Sequence, residues 1–68
     1  MMKAYVSTEK HGVRAWTADV VSEQDYHQRG PHAHSHRTEP HALPTTARKA
    51  AEDWADRNGY RIVPVEEI

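Results

Sequence analysis

The chain predicts a small α+β domain: an antiparallel β-sheet of three to four strands, with one amphipathic α-helix packed on one face, in the order β-β-(β)-α-β. Three observations carry this. Val13 to Val21 is rich in β-branched and aromatic residues, the composition of a pleated, half-buried strand. Ala47, Ala50, Ala51, Trp54 and Ala55 recur at helical spacing and make one apolar stripe. With 68 residues, the chain is sized for one domain, residues 1–68.

Met2 to Ser7 alternates, with Met2, Ala4 and Val6 on one side and Lys3, Tyr5 and Ser7 on the other. That is the period of a strand. Thr8 to Gly12 is polar and ends in Gly, as hairpin connections often do. In the second strand Trp16, Ala18 and Val20 share a face, with Arg14 in register at the strand end. A loop this short permits only antiparallel pairing with the first strand. Ser22 to Arg29 is polar, and Gly30-Pro31 is a turn or breaker pair.

Residues 28–44 form a His/Pro-rich segment, expected as a loop or edge strand, with His32 to Thr38 a short third strand. The helix follows, with Thr45 or Thr46 as N-cap and Asn58-Gly59 as its stop. Arg48–Glu52, Lys49–Asp53 and Asp53–Arg57 are i,i+4 pairs on its outer face. Tyr60 to Val65 reads as a last strand. Pro64 cannot donate to a ladder, which puts that strand at an edge or ends it there.

Composition limits function more than it assigns it. There is no cysteine, which removes disulfides, thiolate zinc sites and cysteine nucleophiles and fits a reducing compartment. No apolar run approaches the roughly 20 residues of a membrane span, and no signal-peptide h-region is seen. A cytoplasmic location and no membrane partner are the expectation. Nine basic against ten acidic residues give a net charge of −1, with no basic block of the kind duplex binding favours. Ser7, Ser22 and Ser35 lack the glycine-flanked elbow of a catalytic serine. There is no glycine-rich phosphate loop, and we expect no enzyme.

The strands followed by a Thr-capped, Ala-rich helix, carried by Trp16-x-Ala18-x-Val20 and Thr46-x3-Ala50, resemble the arm-binding domains of tyrosine recombinases and HicB-type antitoxins. The likeness is one of element order, and no functional residue is carried over from it.

Three functional expectations remain. The first is a non-enzymatic interaction module that covers a surface of a larger protein partner, as an inhibitor, antitoxin or adaptor. Small phage or mobile-element proteins that block host or defence complexes, anti-CRISPR inhibitors among them, have this profile. Tyr5, Arg14, Tyr60 and Arg61 are its candidate contacts, since Tyr and Arg are favoured interface anchors. The second is a nucleic-acid-binding regulator that uses Lys3, Lys10, Arg14, Arg37 and Arg61 on a basic sheet face. The third is a metal or pH sensor. On a strand His32, His34 and His36 would project from one face about 7 Å apart, and imidazole suits zinc or nickel; otherwise no cofactor is expected. The thin core, with one Leu and no Phe, makes a homodimer the expected assembly.

Overall fold

The computed structural model describes residues 1–30 and 32–68. Its elements are β1 (Met2–Gly12), β2 (Ala15–Ser22), α1 (Glu23–Arg29), β3 (His36–Arg37), α2 (Pro44–Arg57) and β4 (Tyr60–Ile62), followed by a 3₁₀ turn, Val65–Glu67. The four strands form one sheet in the order β3-β2-β1-β4. β1 and β2 pair antiparallel from Ala4 opposite Ser22 to Lys10 opposite Trp16, with a bulge between Lys10 and Gly12.

The alternation read from the sequence sets the two faces. Ala4, Val6, Ala18 and Val20 point to one side and pack against Ala47, Ala51 and Ala55 of α2. The three helix alanines are fully buried, so the helix axis lies close over the sheet. Trp16, Trp54, Tyr60 and Ile62 close the margins of this core. At the helix end Gly59 takes φ 80°, the left-handed conformation that costs a glycine little.

The structure corrects the expected fold in several places. The sheet is mixed, because β4 pairs parallel to β1, Met2 opposite Tyr60 and Ala4 opposite Ile62. Helix α2 carries the chain from the β3 edge to the far edge of the sheet, the kind of long connection that parallel strands require. The polar run Thr8 to Gly12 is not a loop but the distal half of β1. The hairpin turns at Val13 and Arg14, and Arg14 has φ 58°, so β2 begins only at Ala15. The third strand shrinks to His36–Arg37. β4 ends at Ile62, ahead of Pro64. Helix α2 starts one residue before Thr45, with Pro44 in its first turn and Leu43 as an N-cap that makes no side-chain bond. Proline preset to helical φ replaces the threonine cap.

A second helix, α1, is also present. Ser22 Oγ accepts from the Asp25 N–H at 3.1 Å, capping its N-terminus. Ser35 Oγ donates to Asp25 Oδ2 at 2.6 Å and accepts from the Ser22 N–H at 3.1 Å. This network ties the start of α1 to the segment that leads into β3. The Gly30-Pro31 breaker lies in part outside the described residues. Among the described residues, no helix is long and apolar enough to cross a membrane.

Candidate functional site

Tyr5 does lie on the face opposite Val6, but it is not an open anchor: only 9 % of it is exposed. Helix α1 packs over this end of the second face, and Tyr26 meets the Tyr5 ring edge-on with centroids 5.8 Å apart. Val21, paired with Tyr5 across the hairpin, and Val63 are buried too. The second face therefore has a small apolar core at one end. Its other end is polar. There Arg37 bonds Asp19 at 2.7 Å and reaches Glu9 at 3.5 Å, while His11 Nε2 lies 2.7 Å from Thr17 Oγ1.

The environment of Tyr5 has a consequence at high pH. Burial, then Tyr26, then Asp19 push its phenol above the ordinary value. Below the unfolded value of about 10 the phenol is neutral in both states and its contribution to stability is complete. That contribution is lost as the pH rises through the higher folded value, because the unfolded chain ionises first. Thermal melts between about pH 9 and about pH 11 are expected to show a steeper fall in Tm for the wild type than for Tyr5→Phe. Parallel falls would mean that Tyr5 ionises as freely folded as unfolded.

Of the other candidate contacts, Arg61 comes near Tyr5, since it lies opposite Lys3, two residues along β1 on the same face; Arg14 and Tyr60 do not join them. Arg14 is at the hairpin tip. Tyr60 and Arg61 are on β4, against the opposite end of β1. Tyr60 stacks on Trp54 at 5.8 Å and 17°. His36 stacks on the same indole at 4.3 Å and 2°. The two rings come from strands at opposite edges of the sheet, so stacking within the protein already engages the Trp54 indole. The five cations of the nucleic-acid reading are dispersed. Lys3 and Arg61 share the second face by register. Lys10 lies 5.9 Å over the Trp16 ring, Arg37 is paired with Asp19, and Arg14 is at the tip.

The histidines do not form a row. His32 and His34 are exposed ahead of β3, and His36 alone is on the strand. Among the described residues no three His, Asp or Glu side chains gather as a metal-binding group. An open cleft of about 400 Å³ lies between α2 and the β3 side, lined in part by His36, Glu39, His41, Trp54 and Arg57.

The most distinctive surface is a backbone edge. The Ala4 carbonyl accepts from the Val63 N–H at 2.9 Å, so even-numbered residues of β1 turn their backbone groups away from β2. The even residues of β2 turn theirs toward β3 in the same way: the Thr38 N–H donates to the Ala18 carbonyl at 2.9 Å, and Trp16 exchanges two bonds of 2.7 Å with His41. The β1–β2 ladder thus uses the odd residues of β1. β4 covers the even ones only as far as Ala4. Arg48 lends its guanidinium to the Val6 carbonyl at 3.4 Å. Among the described residues, no backbone partner reaches the outward groups of Thr8 and Lys10. Ser7 to Gly12 is exposed throughout. The edge is left open because β4 has three residues beside a β1 of 11.

Compared with known proteins, the chain matches no family model, no curated protein and no solved structure.

Proposed function

We propose that the protein is a non-enzymatic binding module that takes a strand from a larger partner polypeptide on the outer edge of β1, in the manner of an inhibitor, antitoxin or adaptor. The observation that carries this is the stretch from Val6 to Lys10, which among the described residues no strand pairs on its outer edge and where only the Val6 carbonyl has a side-chain partner, Arg48, while its other edge is laddered to β2. An open edge offers main-chain hydrogen bonds to an incoming strand, and the side chains on either face set the choice of partner. The rest of the sheet holds the edge rigid: α2 covers one face, and α1 caps the root of β1 on the other.

Thr8→Pro tests this reading. The Thr8 N–H points outward, so proline there removes no bond of the β1–β2 ladder, and edge strands tolerate proline at such positions. It takes one donor from the edge and places a ring in the path of a docking strand. A partner captured from host lysate by the wild-type chain is expected to bind Thr8→Pro about tenfold more weakly or less still. Thr8→Val, which keeps the backbone donors, is expected to retain it. Equal capture by wild type and Thr8→Pro would move the binding surface elsewhere.

A further inference from the structure

The β1 edge is open to a strand, but its charges and its neighbours do not suit a strand of its own kind. We infer that the edge rejects a second copy of this chain and fits a foreign antiparallel strand that sets a cation opposite Glu9 and an anion opposite Lys10. This rests on the strand-addition reading and narrows it to a class of partner.

An antiparallel partner strand must oppose outward residues to outward residues, which for two copies fixes the two-fold centre on a single residue of β1. A centre at Ser7 or Thr8 fails on space. It drives the distal strand of the second copy, at Lys10 or His11, onto the part of the edge beside Ala4 and Tyr5. β4 already holds that part, with Ile62 opposite Ala4 and the Val63 N–H on the Ala4 carbonyl at 2.9 Å. A centre at Glu9 keeps the second copy's β1 off β4 and brings only its hairpin turn at Val13 and Arg14 level with Tyr5 and Ala4, but it sets Glu9 directly against Glu9 of the second copy, in the closer, non-hydrogen-bonded kind of pair. A centre at Lys10 sets Lys10 against Lys10. Like charges directly opposite destabilise a strand pair. A centre farther out falls on the bulge after Lys10.

Arg37 does not remove the obstacle at Glu9. It bonds Asp19 at 2.7 Å and stands 3.5 Å from Glu9, so Asp19 holds it more closely. Glu9 and Lys10 thus act as gatekeepers, as charged residues on natural sheet edges do. A foreign strand is not bound by two-fold symmetry. It can stop at Val6, short of β4, and pair each charge with its opposite.

The experiment follows amide exchange of Thr8 and Lys10 by NMR at low and high protein concentration, with mass by sedimentation. In the wild type the exchange of these two amides is expected to be independent of concentration. In Glu9→Thr, which lifts the repulsion at the Glu9 centre, it is expected to slow with concentration as the mass doubles. Two peptides then probe the partner chemistry: acetyl-Glu-Lys-Val-Thr-Val-amide, whose charges match Lys10 and Glu9, and its charge-swapped form beginning Lys-Glu. The matched peptide is expected to shift the Thr8 and Lys10 amides with at least severalfold lower Kd. Concentration-dependent protection in the wild type, an unchanged Glu9→Thr, or equal affinity for the two peptides would each overturn the inference. None of these readouts depends on a captured partner, so they fail separately from the Thr8→Pro test.

Discussion

Trp54→Ala is expected to bring this domain to the edge of unfolding. The indole is the one large side chain that α2 contributes to the sheet, and it is clasped between His36 of β3 and Tyr60 of β4. Those strands are two and three residues long, too short to hold by ladder bonds alone. The largest fully buried side chains elsewhere are only Val20 and Val21. Truncating a buried Trp costs about 3–5 kcal/mol, and Trp54 belongs near the low end because it is half-buried. A domain of this length has a total stability of roughly 3–10 kcal/mol. Urea unfolding followed by circular dichroism is expected to show a loss of about 3 kcal/mol, with much of it restored in Trp54→Phe, which keeps a ring between the two neighbours. A loss under about 1 kcal/mol would mean that His36 and Tyr60 repack over the gap and that the clasp does not anchor the sheet edges.

The fold was legible where burial imposes a period. Ala4 and Val6, Ala18 and Val20, and the alanine stripe of α2 are all on the faces their spacing predicts. It was less legible where polar residues serve structure. Thr8 to Gly12 looks like a loop because both of its faces meet solvent, yet the ladder to β2 continues to Gly12. Backbone bonding leaves no trace in side-chain polarity. Helix α1 was missed for a related reason, since it has no fully buried residue and so no strong apolar stripe. Its signal was local: Ser22 followed three residues later by Asp25 is a variant of the capping pattern, and Asp25 N–H does bond Ser22 Oγ. The parallel placement of β4 depends on where a crossover helix lands, and no residue of Tyr60 to Ile62 encodes that.

The exposed edge of β1 was not marked by the residues the sequence singled out. An edge strand able to pair with another chain follows from a small sheet, but the sequence suggested aromatic and arginine anchors. Tyr5 is instead sealed under Tyr26 by a helix that polarity concealed. Tyr60 is occupied by Trp54. The open edge is defined by an absence of ladder partners beside Thr8 and Lys10, which emerges only when β4 is seen to stop at Ile62.

Ala51→Leu carries the second large effect, and it tests the closeness of α2 to the sheet. Ala47, Ala51 and Ala55 are each fully buried one helical turn apart, facing Ala4, Val6, Ala18 and Val20. Small residues on both sides let the two backbones approach, so added side-chain volume at the centre of the stripe has nowhere to go. Overpacking of a tight core costs about 1–3 kcal/mol, and the upper part of that range is expected here. The backbone has little room to yield, because Ala47 and Ala55 hold the helix down on either side of position 51. Helix propensity is not the cause, since leucine is nearly as good a helix former as alanine. Ala50→Leu is the control: Ala50 borders the open cleft of about 400 Å³, where a leucine can extend without displacing the sheet, and its effect is expected to stay within about 0.5 kcal/mol. Unfolding free energies of the two variants, taken from urea midpoints at unchanged slope, are therefore expected to differ by roughly 2 kcal/mol. A tolerated Ala51→Leu would mean that α2 can lift from the sheet at little cost. The His36–Trp54–Tyr60 clasp, rather than close backbone approach, would then be what keeps the helix seated.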